Sequence, residues 1–292
     1  MSDNKPRVSI GLPVYNGERF LKEALDSLLA QTYADFELII SDNASTDQTE
    51  SICRTYAASD QRIRYYRNKE NVGAARNFNH VFELSSGEYF KWATADDVCS
   101  PELVARCLSV LDTTPTAVLA CAKIRFIDET GTPFDRYDPG WDLRDDAAHE
   151  RLRYIIYAGH LVNPHYGLIR TSALSKTRLL RTYSGGDYCV LGELSLLGKF
   201  FEIPECLLLR RLQPDASSQH SNDLEWQTRF YNGKPKLTLP CLYRSADHFT
   251  TIVHSQLHLR QKLSLINSLL HSLLWRRRRL YEELRFVLKH LR

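Results

Sequence analysis

The strongest constraint on this chain is a strict alternation of short β-branched runs and amphipathic segments through its first 126 residues. Residues 7–12 and 36–41 are the compact apolar runs expected of strands buried on both faces. Between them Phe20, Leu21, Ala24, Leu25, Leu28 and Leu29 recur at helical spacing. Asn16 or Gly17 can start that helix, with Glu18 in its first turn. A second helix follows Ser45-Thr46-Asp47 and runs to Tyr56, and residues 62–67 form a shorter strand. A helix over 73–84, a strand over 88–92, a helix over 101–111 opened by Ser-Pro, and a strand over 118–126 complete the series. This order predicts an α/β fold built on a mostly parallel sheet with right-handed crossovers.

Past residue 128 the order weakens. Residues 130–146, rich in Asp, Gly and Pro, suit a long surface loop better than a core element. A helix over 149–157, a strand over 166–169, a helix over 188–197 and strands over 200–203 and 207–212 follow, then a polar stretch over 213–222. From about Phe249 the chain reads as mostly helical. No internal repeat interrupts the reading. Three segments are expected: 1–127, 128–215 and a C-terminal helical extension over 216–292.

At 292 residues, with 43% apolar and 25% charged side chains, the chain can bury a substantial core and reads as globular. No apolar run reaches the roughly 18 residues that suggest a membrane span, and residues 1–7 lack a signal-peptide pattern. The seven cysteines are scattered, without a C-x-x-C pair, so neither a zinc site nor a disulfide framework is indicated. The expectation is reduced thiols in a cytoplasm. Net charge is +3, but from Ala216 onward 13 Lys and Arg stand against 5 Asp and Glu. The tail is basic and the remainder mildly acidic.

Polar clusters mark the strand ends. Pro13-Val14-Tyr15-Asn16-Gly17-Glu18 follows the first strand, and Ser41-Asp42-Asn43-Ala44-Ser45-Thr46-Asp47 follows the second. Asn71-Val72-Gly73-Ala74-Ala75-Arg76-Asn77 opens a helix, and Thr94-Ala95-Asp96-Asp97 follows the fourth strand. In an open α/β sheet such ends share one edge, where ligands bind. Taken in order, these motifs resemble the glycosyltransferase family 2 domain over roughly residues 7 to 210.

The resemblance implies a GT-A fold and an inverting transfer of a sugar from a nucleoside diphosphate sugar to an acceptor hydroxyl. It implies nucleotide-sugar contacts at Pro13, Tyr15, Asn16, Glu18, Asp42, Asn71, Gly73, Arg76, Thr94, Asp96 and Arg211. Asp42 is the acceptor for the imide N–H of a base, which favours a uridine or deoxythymidine donor. Asp42-Asn43 can equally form an Asx turn or cap the next helix, and Arg76 can pair with a surface carboxylate. Asp96 and Asp97 match the end of the family's Asp-x-Asp-Asp segment and are the expected ligands of Mg²⁺ or Mn²⁺, hard cations that prefer carboxylate oxygen. Thr94 stands where that segment has its first acid. The alternative for this pair is a helix cap ahead of Pro101.

Inversion needs a base for the acceptor proton. Ser184-Gly185-Gly186-Asp187-Tyr188 matches the family's position for it, with Asp187 the base and Glu193 in reserve. Asp187 can also serve as a helix cap. Arg210-Arg211-Leu212-Gln213 resembles a tail in which His commonly stands where this chain has Gln213, while His220 arrives later. The two arginines can clamp a diphosphate or be ordinary strand-end charges. His160 and His165 flank Asn163-Pro164 and can line an acceptor pocket or serve the core.

The tail carries Leu269, Leu270, Leu273, Leu274, Leu280, Leu284, Val287, Leu288 and Leu291 on a helical stripe, with Arg276–Arg279, Arg285 and Lys289 around it. It suits an anionic membrane surface or packing on the body. No nucleic-acid module is present. The expected partners are therefore a nucleotide-sugar donor and a glycan or lipid-linked acceptor, as in surface polysaccharide or glycolipid synthesis. The competing class is a catalytically silent nucleotide-sugar-binding scaffold.

Overall fold

The structure is a computed structural model that describes residues 5–134, 140–158, 162–213, 223, 226, 230 and 239–290. His160, His220 and Leu291 lie outside the described residues. The chain runs β1 (Val8–Val14), α1 (Leu21–Leu29), β2 (Phe36–Asp42), α2 (Thr49–Ser59), β3 (Ile63–Arg67), α3 (Ala74–Glu83), β4 (Tyr89–Trp92), β5 (Val98–Cys99), α4 (Leu103–Thr113), β6 (Ala117–Ile127) and β7 (Pro133–Phe134). It continues through α5 (Ala148–Tyr157), a 3₁₀ turn (Asn163–Tyr166), β8 (Leu168–Arg170), α6 (Thr171–Leu174), α7 (Gly186–Leu197) and β9 (Lys199–Arg211). Three helices, α8 (Pro240–His254), α9 (Leu259–Trp275) and α10 (Arg277–His290), form the tail.

One sheet carries the described strands in the order β3-β2-β1-β4-β8-β6-β9-β5, with β7 on β6. The strands β1 to β4 are mutually parallel, as the alternation predicts. Beyond β4 the sheet turns mixed, since β8 runs antiparallel to both β4 and β6, and β5 antiparallel to β9. The two strands read over 200–203 and 207–212 are one strand, β9. Its register against β6 slips so that Ala122 faces Ile203 and Lys123 faces Cys206, leaving Pro204 and Glu205 bulged out. Proline has no N–H for the ladder, so a bulge is where a long strand can hold it.

Side chains alternate between two cores, one on each face of the sheet. Leu38, Ile40 and Tyr89 point to the face covered by α1, α2 and α4, while Ile39, Phe90 and Trp92 point to the face covered by α3, α5 and α7. Each fully buried large apolar side chain contributes roughly 1.5–3 kcal/mol, so both faces must stay covered. The tail completes one of them: Ile252, Leu265 and Leu269 join the second core. The long connection over 130–146 is also anchored, because Trp141 is fully buried and Leu143 bridges to Phe200. Trp141 and Leu143 thus belong to the core, which corrects the reading of their part of the connection as surface loop, while Phe134 is exposed. All seven cysteines are unpaired, and no described helix is long and apolar enough to cross a membrane.

Candidate active site

Strands β1 and β2 are adjacent and in register, Val14 opposite Asp42, so the loops that follow them lie side by side. Five cross-links join them. The backbone N–H groups of Asn16, Gly17 and Glu18 donate to Ser45 Oγ, Thr49 Oγ1 and Asp47 Oδ2 at 2.9, 2.9 and 3.0 Å. In return Asn16 Oδ1 and Glu18 Oε2 accept from the N–H groups of Thr46 and Gln48, each at 2.8 Å. Asn16 (φ 49°) and Ala44 (φ 62°) adopt left-handed backbone to make the paired turns. Pro13 is buried within β1, and Tyr15 projects from the loop with 49% of its surface exposed.

Asp42 is wholly buried at the tip of β2. Its Oδ1 accepts from Ser45 N, three residues on, at 2.8 Å, while Oδ2 accepts from Tyr65 Oη at 2.9 Å and Arg67 Nη1 at 2.6 Å. Next to it, a carboxamide network explains why the Ser-Asp-Asn and Asn-x-Gly motifs occur together. Asn43 Nδ2 donates to Asn71 Oδ1 at 2.9 Å, and Asn43 Oδ1 accepts from Val72 N and Asn68 Nδ2 at 3.0 and 3.1 Å. Asn77 ties the helix start back to Ser41 through bonds of 2.7 and 2.8 Å. Gly73, whose N–H Asn71 also accepts, takes φ 86° at the start of α3, a conformation that favours glycine. Arg76 stands exposed on α3 with no hydrogen-bond or ion-pair partner among the described residues.

The carboxylates lie past the end of β4. Asp97 Oδ1 accepts from Arg211 N at 2.9 Å, and Asp96 Oδ2 from Gln213 Nε2 at 3.0 Å. Gln213, which stands where the family commonly has His, therefore touches the acidic pair. Burial, then the neighbouring charge of Asp97, pushes Asp96 up to about 7; burial also raises Asp97, opposed by Arg210 and Lys91. Thr94 lies close enough to favour both ionised forms, yet its buried Oγ1 makes no well-formed hydrogen bond. Lys91 was not anticipated. It is 2% exposed in the middle of β4, and its ammonium donates to the carbonyls of Trp92 and Tyr166 at 3.0 and 2.7 Å.

Asp187 sits in the first turn of α7, after Gly185 at φ 89°. Its Oδ1 accepts from Tyr188 N at 3.0 Å, so it does sit as a helix-start carboxylate. Burial raises its pKa, while Arg244 and Arg210 act to keep it ionised. Arg244 comes from α8 in the tail and lies 4.9 Å over the Tyr188 ring. The reserve base, Glu193, is engaged elsewhere. It accepts from Arg178 Nε at 2.5 Å and Arg178 N at 2.7 Å, and pairs with Arg181 at 3.3 Å.

The two arginines of β9 diverge. Arg211 is buried, with Nη2 on Glu23 at 2.6 Å, Nη1 on the Asp128 carbonyl at 2.9 Å and Nε on the Asp96 carbonyl at 3.0 Å. Its guanidinium is saturated by the protein, which places the side chain in the framework rather than free for a diphosphate. Arg210 is the central one. Its charge favours the ionised forms of Asp97, Asp96 and Asp187, its Nη1 donates to Asn163 Oδ1 at 2.7 Å, and it lies 5.5 Å over Tyr166. His165 is 4% exposed, stacked 4.3 Å from Trp92, and burial holds it near 3 and therefore neutral.

The profile described as "Glycosyl transferase family 2" matches residues 9–178. The chain belongs to that family. Among its relatives, an uncharacterized glycosyltransferase of Haemophilus influenzae is 26% identical over 231 residues, 77% of this chain and 72% of that protein. Another, from Rickettsia typhi, is 39% identical over 107 residues, but these make up 37% of this chain and 32% of that protein. In three dimensions the chain is similar to S. aureus TarS 1–349 in complex with UDP-GlcNAc, with TM-score 0.71, 16% identity, and coverage of 91% of this chain and 72% of that one. A mannosyltransferase of Pyrobaculum calidifontis, in complex with GDP-Man and Mn²⁺, aligns with TM-score 0.55 at 15% identity over 99% of this chain and 88% of that one. The family 2 fold is GT-A, and the curled α/β sheet with C-terminal helices has that architecture.

A family 2 glycosyltransferase with two adjacent acids invites a test for a divalent ion. No group of three or more His, Cys, Asp or Glu that could hold a metal occurs among the described residues. The residues fit such an ion in kind: burial raises both carboxylates, the charge of Asp97 raises Asp96 further, and the buried Thr94 hydroxyl beside them makes no well-formed hydrogen bond. A hard cation usually completes such a sparse protein set with phosphate oxygens and water.

Proposed function

We propose that this chain transfers a sugar, with inversion, from a nucleoside diphosphate sugar to an acceptor hydroxyl. The observation that carries the reading is Arg210, one cation whose charge reaches Asp96 and Asp97 on the sheet edge and Asp187 on α7. In this reading the two aspartates mark the diphosphate end and Asp187 the proton-accepting end, with Arg210 between them in charge. Residues 1–127 supply the donor side, residues 128–215 the acceptor side, and the tail from 216 buttresses the latter.

In this reading Asp187 takes the proton of the acceptor hydroxyl as its oxygen bonds to the anomeric carbon and the bond from that carbon to the diphosphate oxygen breaks. Burial makes Asp187 a stronger base than an exposed carboxylate, while Arg244 and Arg210 hold it ionised. Asp96 and Asp97, with Thr94 and Gln213 beside them, would hold Mg²⁺ or Mn²⁺, which when bound offsets charge on the departing diphosphate. Arg210 faces the same charge. Tyr15 and Arg76 are free to meet the nucleotide, whereas Pro13, Asn16, Glu18, Asn71 and Gly73 shape the loops around it. Asp42 is the acceptor for a uridine or deoxythymidine imide, a contact it must share with Tyr65 and Arg67; Arg211 supports the acid pair from behind.

The acceptor is a glycan or lipid-linked sugar, and the enzyme works in the cytoplasm at the membrane face. In support, α9 and α10 expose Leu270, Leu274, Trp275, Tyr281 and Leu288 at 54–67%, with Arg277, Arg278, Arg285 and Lys289 exposed among them. Such a surface suits anionic lipid. The reading is tested by incubation with UDP- and dTDP-hexoses and detection of released nucleoside diphosphate. Wild type releases it slowly without acceptor, and Asp187→Asn binds donor but loses transfer. A wild type that binds donor and never releases diphosphate, with any acceptor tried, would favour the silent scaffold.

A further inference from the structure

The 3₁₀ turn Asn163–Tyr166 presses an asparagine against the centre of the site. Asn163 is 4% exposed. Its Oδ1 accepts from Arg210 Nη1 at 2.7 Å, and its Nδ2 has no partner. The orientation is not arbitrary. Turning the amide over would set its NH₂ against the guanidinium, donor against donor, so the arginine fixes which end is left over.

A buried NH₂ group without an acceptor is uncommon in a folded protein and asks for an explanation. Here two more buried polar atoms share its condition: Thr94 Oγ1, beside Asp96 and Asp97, and His165 Nδ1, two residues along the same turn. Tyr166 lines a small cavity with Thr94, Asp97 and Lys91, and Arg210 bonds Asn163 while its charge reaches His165. The orphans differ in kind. The amide can only donate, the threonine hydroxyl does both, and the neutral imidazole nitrogen does one or the other by tautomer. Each of the three can give a hydrogen bond, and a sugar hydroxyl, which both gives and accepts, can take the one the amide offers.

We propose that Asn163 is a sugar-recognition residue, its Nδ2 donating to a hydroxyl of the transferred sugar. The inference rests on the donor reading above: a sugar held between the diphosphate at Asp96–Asp97 and the base at Asp187 passes over Arg210, and hence over Asn163. The amide then has two roles, holding the arginine through oxygen and reading the sugar through nitrogen.

Asn163→Asp separates them, since a carboxylate still accepts from Arg210 but cannot donate; Asn163→Ala removes both. Each variant is titrated, in Mn²⁺, with the UDP- or dTDP-hexose that wild type binds best and with the matching nucleoside diphosphate. We expect Asn163→Asp to weaken the nucleotide sugar about tenfold, a lost hydrogen bond in a site built to make it, while the diphosphate alone binds as to wild type. Asn163→Asp behaving as wild type towards both ligands, with Asn163→Ala impaired, would reduce Asn163 to an anchor for Arg210 and overturn the proposal. Equal weakening of both ligands would overturn it too, placing the contact at the diphosphate or at the carboxylates. If wild type itself binds neither, the donor reading falls and this inference with it.

Discussion

Arg244, on the first tail helix, lies over the ring of Tyr188, one residue from Asp187. The tail thus adjoins the proposed base as well as the core, and the contact has a pH consequence. Arg244 lowers the Asp187 pKa against a larger burial effect. Removing it lets that pKa rise, so less base is ionised at a given pH. Arg244→Met is expected to move the acidic limb of the pH–rate profile upward, with activity recovering at higher pH. A lowered rate with an unmoved limb would assign Arg244 to packing or substrate contact instead.

Glu193 and Asp247 act together as a clamp. Asp247 pairs with Arg178 at 2.7 Å and Arg181 at 3.2 Å and accepts from Tyr183, fixing the segment that leads into Asp187 from the tail side. Asp247→Ala or Glu193→Gln leaves partly buried arginines short of a partner, and each is expected to lower stability by roughly 2–3 kcal/mol, read by urea unfolding. Glu193→Gln with native stability and no transfer would move the base to Glu193.

The paired arginines of β9 should separate in mutagenesis. Arg211→Ala strips Glu23 and three backbone carbonyls of a buried donor, so its main effect is on unfolding, about 3 kcal/mol. Arg210→Ala should fold near normally and lose transfer by about a hundredfold or more. The reverse ranking, with Arg211→Ala stable and inactive, would restore Arg211 as the diphosphate clamp.

Much of this was legible in the sequence. The first core follows directly from the alternation, because a strand covered on both faces must be apolar at nearly every position, and β1 and β2 are buried at all seven. The family was legible through motif order, and Asp96, Asp97 and Asp187 enter the proposal from those motifs. What pairing decides was hidden: Glu193 and Arg211 look like site residues in one dimension, and only three-dimensional partners show them engaged. Lys91 had a signal, a lysine inside the aromatic run Tyr89-Phe90-Lys91-Trp92. Arg244 and Asn163 had none, since each owes its position to packing between segments far apart in the chain. The tail packs on the body through Leu269 and leaves Leu270, Leu274 and Leu288 exposed.

That exposed face gives its own expectation. The chain should co-sediment with vesicles of phosphatidylglycerol and phosphatidylcholine and much less with phosphatidylcholine alone, and Trp275 emission should shift to the blue. High salt should weaken the association, as the surface arginines are screened, and Trp275→Ser with Tyr281→Ser should abolish it. Equal retention on neutral vesicles, or none on either, would contradict a lipid-facing tail.

The central claim is that Asp96 and Asp97 mark the diphosphate end of a donor site. Its most direct test is calorimetric titration of uridine, deoxythymidine and guanosine diphosphates, with and without Mn²⁺, into wild type and Asp96→Ala. The account predicts that one nucleotide, of the uridine or deoxythymidine type, binds in the presence of Mn²⁺ and that Asp96→Ala loses at least about tenfold in affinity. Failure of every nucleotide to bind wild type, or unchanged binding by a folded Asp96→Ala, would contradict it.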